Sequence, residues 1–148
     1  MALYDRIGTS YATTRASDPR IAAAIHDALG DAETVVNVGA GTGAYEPADR
    51  DVLAVEPSAV MSAQRSAADA ARVRVLRAPA EAIPLPDDSV DAAMAVISDH
   101  HWRDRRQGLR ELRRVARGRV VLVNVAPSLA DRFWLTREYL PGPSATGR

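Results

Sequence analysis

Val35-Val36-Asn37-Val38-Gly39-Ala40-Gly41-Thr42-Gly43-Ala44, followed by Val52-Leu53-Ala54-Val55-Glu56, decides how this chain is read. The apolar run 34–38 is bounded by turn residues and has the length of a buried strand. It breaks into three alternating glycines. Glycine takes positive φ without penalty and lets a ligand approach the backbone closely. A second apolar run, 52–55, ends in the single carboxylate of Glu56. An acid at the tip of a neighbouring strand can accept hydrogen bonds from both ribose hydroxyls. The pattern therefore points to a nucleoside pocket at the carboxyl ends of a parallel sheet.

Strands and helices alternate on either side of this stretch. Asp18 caps a helix that Pro19 opens, Ile21, Ile25 and Leu29 form its apolar stripe, and Gly30 fits its end. Ser58 caps a helix expected to run to about Ala68. Residues 73–76 alternate as a third strand, and 79–89 form a proline-rich loop. Val90 to Ile97 is a fourth strand, apolar enough for burial on both faces. A helix is expected over 103–117, ended by Gly118, with Arg106, Arg110, Arg113 and Arg117 on one face. Val120 to Val125 is a fifth strand. A further helix near Leu129 carries Phe133 and Trp134, and the tail 141–148 reads as disordered. The expected fold class is α/β: a doubly wound, mostly parallel sheet of about five strands with helices on both faces.

The glycine turn is not a phosphate-cradling P-loop, because no Gly-Lys-Ser/Thr follows it. Gly39, Gly41 and Ala44 do satisfy the dinucleotide fingerprint. An NAD(P)-binding oxidoreductase domain is therefore one alternative, and a non-catalytic cofactor-binding or interaction module is another. Against a pyrophosphate stand Glu46 and Pro47, which cut short any helix after the turn and place a negative charge beside it.

Taken together, VVNVGAGTG, VLAVEPSAVM, APAEAIPLPDDSVDAAMAV and HHW resemble the class I S-adenosylmethionine-dependent methyltransferases, in particular the small-molecule type often called type 11. The resemblance runs from about Tyr4 to Leu140. It implies a Rossmann-like methyltransferase domain over 1–140, with an N-terminal cap segment 1–30 and a cofactor-binding core 31–126. It implies S-adenosyl-L-methionine as cofactor and methyl transfer to a small-molecule acceptor. By the same resemblance Gly39, Gly41 and Gly43 pass under the methionine part of the cofactor, and Glu56 holds the ribose. Ala80 and Glu81 cover the adenine edge, and Ile97 with Ser98 faces the methyl group. Arg15, beside Tyr11, reaches the methionine carboxylate. Two features depart from the family pattern. Asn37 stands where many members have an acid. The family's last two strands, an antiparallel hairpin, have no counterpart after the fifth strand, so the chain reads as truncated at its C-terminus. The sheet edge then left open is a place for self-association.

Alignment of donor and acceptor is the main requirement of such a transfer, so no fixed catalytic residue is expected. His100 and His101 are the only candidate bases near the site, with Asp99 either orienting one of them or exposed. His26 belongs to the first helix and carries no expected role. The chain has 148 residues, with Lys+Arg and Asp+Glu both 19, so its net charge of zero gives nucleic acid or an anionic membrane no general hold. Absence of cysteine excludes disulfides and thiol chemistry, and three histidines without ligand spacing give no metal site. No secretory leader or membrane-spanning run is read, and a cytoplasmic location is expected.

Overall fold

The computed structural model describes residues 17–124. Arg15, Tyr11, the helix expected near Leu129, the tail 141–148 and the position of any C-terminal hairpin lie outside the described residues. Five strands form one sheet: β1 (Thr34–Val38), β2 (Asp51–Val55), β3 (Arg74–Leu76), β4 (Val90–Val96) and β5 (Ala116–Val123). Their order is β3-β2-β1-β4-β5, and every pairing is parallel. The chain moves outward from β1 to β3, then returns to the other side of β1 for β4. That reversal places a crevice at the carboxyl ends of β1 and β4.

Side chains alternate across the sheet and build two cores. Val36, Val38, Ala93 and Ala95 face one layer with Leu112 and Val115 of α4 (Arg105–Val115). Val35, Ala92 and Met94 face the other layer with Ile25 and Leu29 of α1 (Pro19–Leu29). The α/β class with helices on both faces therefore holds. Helix α1 starts as its sequence indicates: the Asp18 carboxylate accepts from the Arg20 amide, and Gly30 closes the helix at φ 59°.

Two helix expectations need correction. The segment after Ser58 is two short helices, α2 (Ala59–Ala63) and α3 (Ala67–Arg72), rather than one running to Ala68. Gln64 and Arg65 leave the helix, and Ser66 caps the second one by accepting from the Asp69 amide. Gly118 does not end α4. The chain passes from Val115 straight into β5, where an extra residue between the Val90 and Ala92 pairings shifts the register. A Cβ on Gly118 would lie 3.2 Å from the Asp91 carbonyl oxygen, so this glycine serves the bulge. Arg117 consequently belongs to β5, and its guanidinium pairs with Asp91 at 2.7 Å.

Candidate functional site at the carboxyl edge of the sheet

Gly39, Gly41 and Gly43 have φ of 68°, 57° and 80°, so all three positions need the left-handed backbone that the sequence pattern implied. Four donors of the turn are directed inward. The amides of Gly39 and Ala40 both donate to the Val55 carbonyl, at 2.9 and 3.1 Å. The Gly41 amide donates to Glu56 Oε2 at 3.0 Å, and the Gly43 amide to the Ala40 carbonyl at 2.9 Å. Among the described residues no helix separates β1 from β2.

Glu56 leaves the tip of β2 with 5% of its surface exposed. Its other oxygen, Oε1, accepts from the Ser58 amide at 3.3 Å. The carboxylate thus joins the glycine turn to the start of α2, and these amides fix its orientation at the tip of β2.

Beneath the Gly43 end lies a second carboxylate. Arg65 donates from Nη1 to Glu46 Oε2 and from Nη2 to Glu46 Oε1, both at 2.7 Å. The two side chains are 2% and 0% exposed. Asn37 Nδ2 donates to Glu46 Oε1 at 3.0 Å. A Cβ on Gly43 would meet this pair at 2.6–2.7 Å, which is why glycine is needed there beyond its φ. This finding corrects the charge argument made from the sequence. Glu46 does not present a bare negative charge to a ligand, because a guanidinium neutralises it inside the protein.

The exit of β4 closes over the first glycine. Ile97 has φ 49°, costly for a β-branched residue, and its amide donates to the Val123 carbonyl at 2.8 Å. Ser98 Oγ donates to the Val38 carbonyl at 3.1 Å. A Cβ on Gly39 would fall 2.7 Å from Ser98 and 3.4 Å from the Trp102 indole nitrogen. Trp102 is itself seated on α4 by Gly108, where a Cβ would come within 2.3 Å of the indole ring. Asp99 does not face solvent. It is buried and accepts from Arg105 Nε at 2.7 Å. His100 and His101 are exposed on the 3-10 turn Asp99–His101, with ring centroids 3.9 Å apart. His26 is exposed on α1, 3.0 Å from Asp49 Oδ2.

The loop after β3 is fastened to α4. Ala80 is buried in the α4-side core. Glu81 Oε1 accepts from the Asp104 amide at 2.8 Å, where α4 begins. Further along, Arg114 Nε and Nη2 bind both oxygens of Glu111 at 2.7 and 2.8 Å, and the same guanidinium reaches the carbonyls of Leu85 and Ile83. The Arg114 guanidinium holds the Glu111 carboxyl below its ordinary pKa. At the opposite edge of the sheet, Arg117 and the amides of Thr34 and Glu33 hold the Asp91 carboxyl well below the usual range.

Gly39, Gly41, Gly43, Glu56, Ile97 and the loop carrying Ala80 and Glu81 thus lie on one edge of the sheet. Sequence reasoning missed the roles of Asn37, Glu46 and Arg65 together. Its one local signal was the Ser66-x-x-Asp69 cap, which forces a break at Arg65. Among the described residues no cluster of three or more acids or histidines is arranged to hold a metal ion, and no helix is long and apolar enough to cross a membrane.

Residues 36–123 match a family profile described as a methyltransferase domain. An uncharacterized methyltransferase of Bacillus subtilis, YcgJ, is 32% identical over 100 residues, covering 61% of this chain and 40% of that protein. The crystal structure of an Anabaena variabilis protein, provisionally assigned as a methyltransferase from an antibiotic biosynthesis pathway, superposes with a TM-score of 0.73 at 36% identity. It covers 86% of this chain and 53% of that one. A Thermotoga maritima structure described as an S-adenosylmethionine-dependent methyltransferase superposes with a TM-score of 0.67 at 27% identity, covering 80% and 58%. The chain spans about half the length of these relatives.

Proposed function

The chain belongs to the methyltransferase domain family, and from that premise we propose that it binds S-adenosyl-L-methionine at the carboxyl edge of β1 and β2 and passes its methyl group to a small-molecule acceptor. The observation that carries this reading is the use made of the turn's donors. Dinucleotide sites aim backbone N–H groups and a helix N-terminus at a pyrophosphate. Here the amides of Gly39, Ala40, Gly41 and Gly43 are taken by protein acceptors, and no described helix lies between the turn and β2. A turn that spends these four donors internally, beside an acid at the tip of β2, suits a nucleoside cofactor that has no phosphate.

In this arrangement Glu56 accepts from the ribose hydroxyls, its carboxylate already aligned by two amides. Gly39 and Gly41 let the methionine portion pass close to the backbone. The loop carrying Ala80 and Glu81 borders the adenine, with Glu81 holding that loop to the start of α4. Ile97 stands beside the methyl group, and Arg15 is the proposed partner of the methionine carboxylate. The bound cofactor supplies an electrophilic methyl on a sulfonium, with a thioether as leaving group. The residues supply alignment, which can recover roughly 7–11 kcal/mol of barrier. His100 or His101 takes a proton only if the acceptor must lose one, a contribution of about 10²–10⁴-fold. Cytoplasmic residence accords with this reading, and the outer side of β5, which no described strand pairs, is the proposed edge for self-association.

The test is thermal shift with S-adenosylhomocysteine and, separately, NADH. At about 100 times its dissociation constant a ligand adds about 2.7 kcal/mol of stability. A shift with S-adenosylhomocysteine alone supports the reading. A shift with NADH alone replaces it with the oxidoreductase reading.

A further inference from the structure

We propose that Glu46 and Arg65 are positioning residues for the methyl-donor site, their buried ion pair locking the Gly43 end of the glycine turn to the segment that follows Glu56. The inference rests on the cofactor reading above, but its core claim concerns the turn itself.

The contacts form a closed circuit. Glu56 holds the Gly41 amide with one oxygen and the Ser58 amide with the other. Ser58 caps α2 by accepting from the Met61 amide. Helix α2 ends at Ala63, and two residues later Arg65 turns inward to grip Glu46 with both nitrogens. The Glu46 amide donates to the Gly43 carbonyl at 3.2 Å, returning the circuit to the turn. Two of the three glycines are thus held: Gly41 by the Glu56 carboxylate, and Gly43 by the backbone amide of Glu46, whose carboxylate Arg65 grips.

Stability alone does not account for the inner clamp. Removing two charges from water costs several kcal/mol per ion, and apolar side chains of the same volume are often as stable or more so. The network also leaves Arg65 Nε and Asn37 Oδ1 buried without hydrogen-bond partners. Each orphan adds a desolvation penalty. A costly, incompletely satisfied pair placed directly beneath Gly43 is explained by what it excludes. The fork has one geometry, and the turn can take only the backbone path that accommodates it.

Two variants test this. Glu46→Leu with Arg65→Met removes both charges while keeping volume. Arg65→Lys keeps the charge and removes the fork. Three quantities are measured on each: melting temperature, S-adenosylhomocysteine affinity by calorimetry, and hydrogen exchange of the Gly41–Ala44 amides. The expected result for the double variant is a melting temperature at or above wild type, affinity weakened at least tenfold, and faster exchange at the turn. Arg65→Lys should move affinity and exchange the same way by a smaller factor, and it decides the question if the double variant does not fold. Affinity within twofold of wild type together with unchanged exchange in a folded variant overturns the proposal. If the wild type itself binds no S-adenosylhomocysteine, the cofactor reading falls, and the exchange data alone decide whether the pair locks the turn.

Discussion

The Glu46–Arg65 fork under the glycine turn and the Glu111–Arg114 fork on α4 share one chemistry, yet their surroundings differ. Arg114 is about a third exposed, and its guanidinium serves Glu111, Asp87 and the carbonyls of Ile83 and Leu85. Glu111 Oε2 in turn accepts from the Ile83 amide at 2.8 Å. This fork fastens an irregular loop to a helix, and its polar atoms find partners. The inner fork is buried on both sides and leaves Arg65 Nε and Asn37 Oδ1 unmatched. Proteins tend to break local rules of polar satisfaction at functional sites and to obey them in scaffolding. The contrast accords with a scaffold role for the outer fork and with the positioning role proposed for the inner one.

The largest effect should come from breaking the inner fork on one side only. Arg65→Ala leaves Glu46 buried beside Asn37 with no cation, and such a change costs about 3–5 kcal/mol. Chemical denaturation will show it; a cost below 1 kcal/mol would mean that water reaches Glu46. Arg114→Ala should cost less, about 1.5–3 kcal/mol, because its charge-assisted bonds lie nearer solvent. It should leave S-adenosylhomocysteine affinity within twofold of wild type. A large affinity loss in Arg114→Ala would erase the distinction between the two forks.

The smallest effect concerns pH, at a third pair. The Arg117 guanidinium beside Asp91, with the Thr34 and Glu33 amides, lowers that carboxyl from its ordinary 3.8. A lowered folded-state pKa gives stability that is complete above the unfolded value and lost as pH falls through the folded one. Melting temperature should therefore be level above about pH 5 and fall below about pH 4. In Asp91→Asn the fall should be shallower. An identical acid limb in both proteins would remove Asp91 from the account.

The sequence carried those features that depend on neighbours along the chain. Asp18 and Pro19 announce α1, the alternating glycines announce the turn after β1, and the apolar runs announce all five strands. Contacts between distant residues left no such trace. Glu46 and Arg65 are 19 positions apart, and neither lies in a periodic pattern. Without that pairing, Glu46 reads as a bare charge and Arg65 as one more helix residue. Gly118 looks like a helix stop from sequence because the register shift that needs it depends on β4. Gly108 was open to detection, since a glycine inside a helix costs about 1 kcal/mol and asks for a reason. The reason, the Trp102 ring, lies six residues earlier on another element.

The central claim is that Glu56, aligned by the glycine turn, receives the ribose of S-adenosylmethionine. Calorimetric titration of S-adenosylhomocysteine into wild type and Glu56→Ala tests it most directly. Loss of a hydrogen bond to a charged group, about 1.5–3 kcal/mol, predicts saturable binding by wild type and at least about tenfold weaker binding by the variant. Equal affinity in the two proteins, or no binding by wild type, would contradict the account.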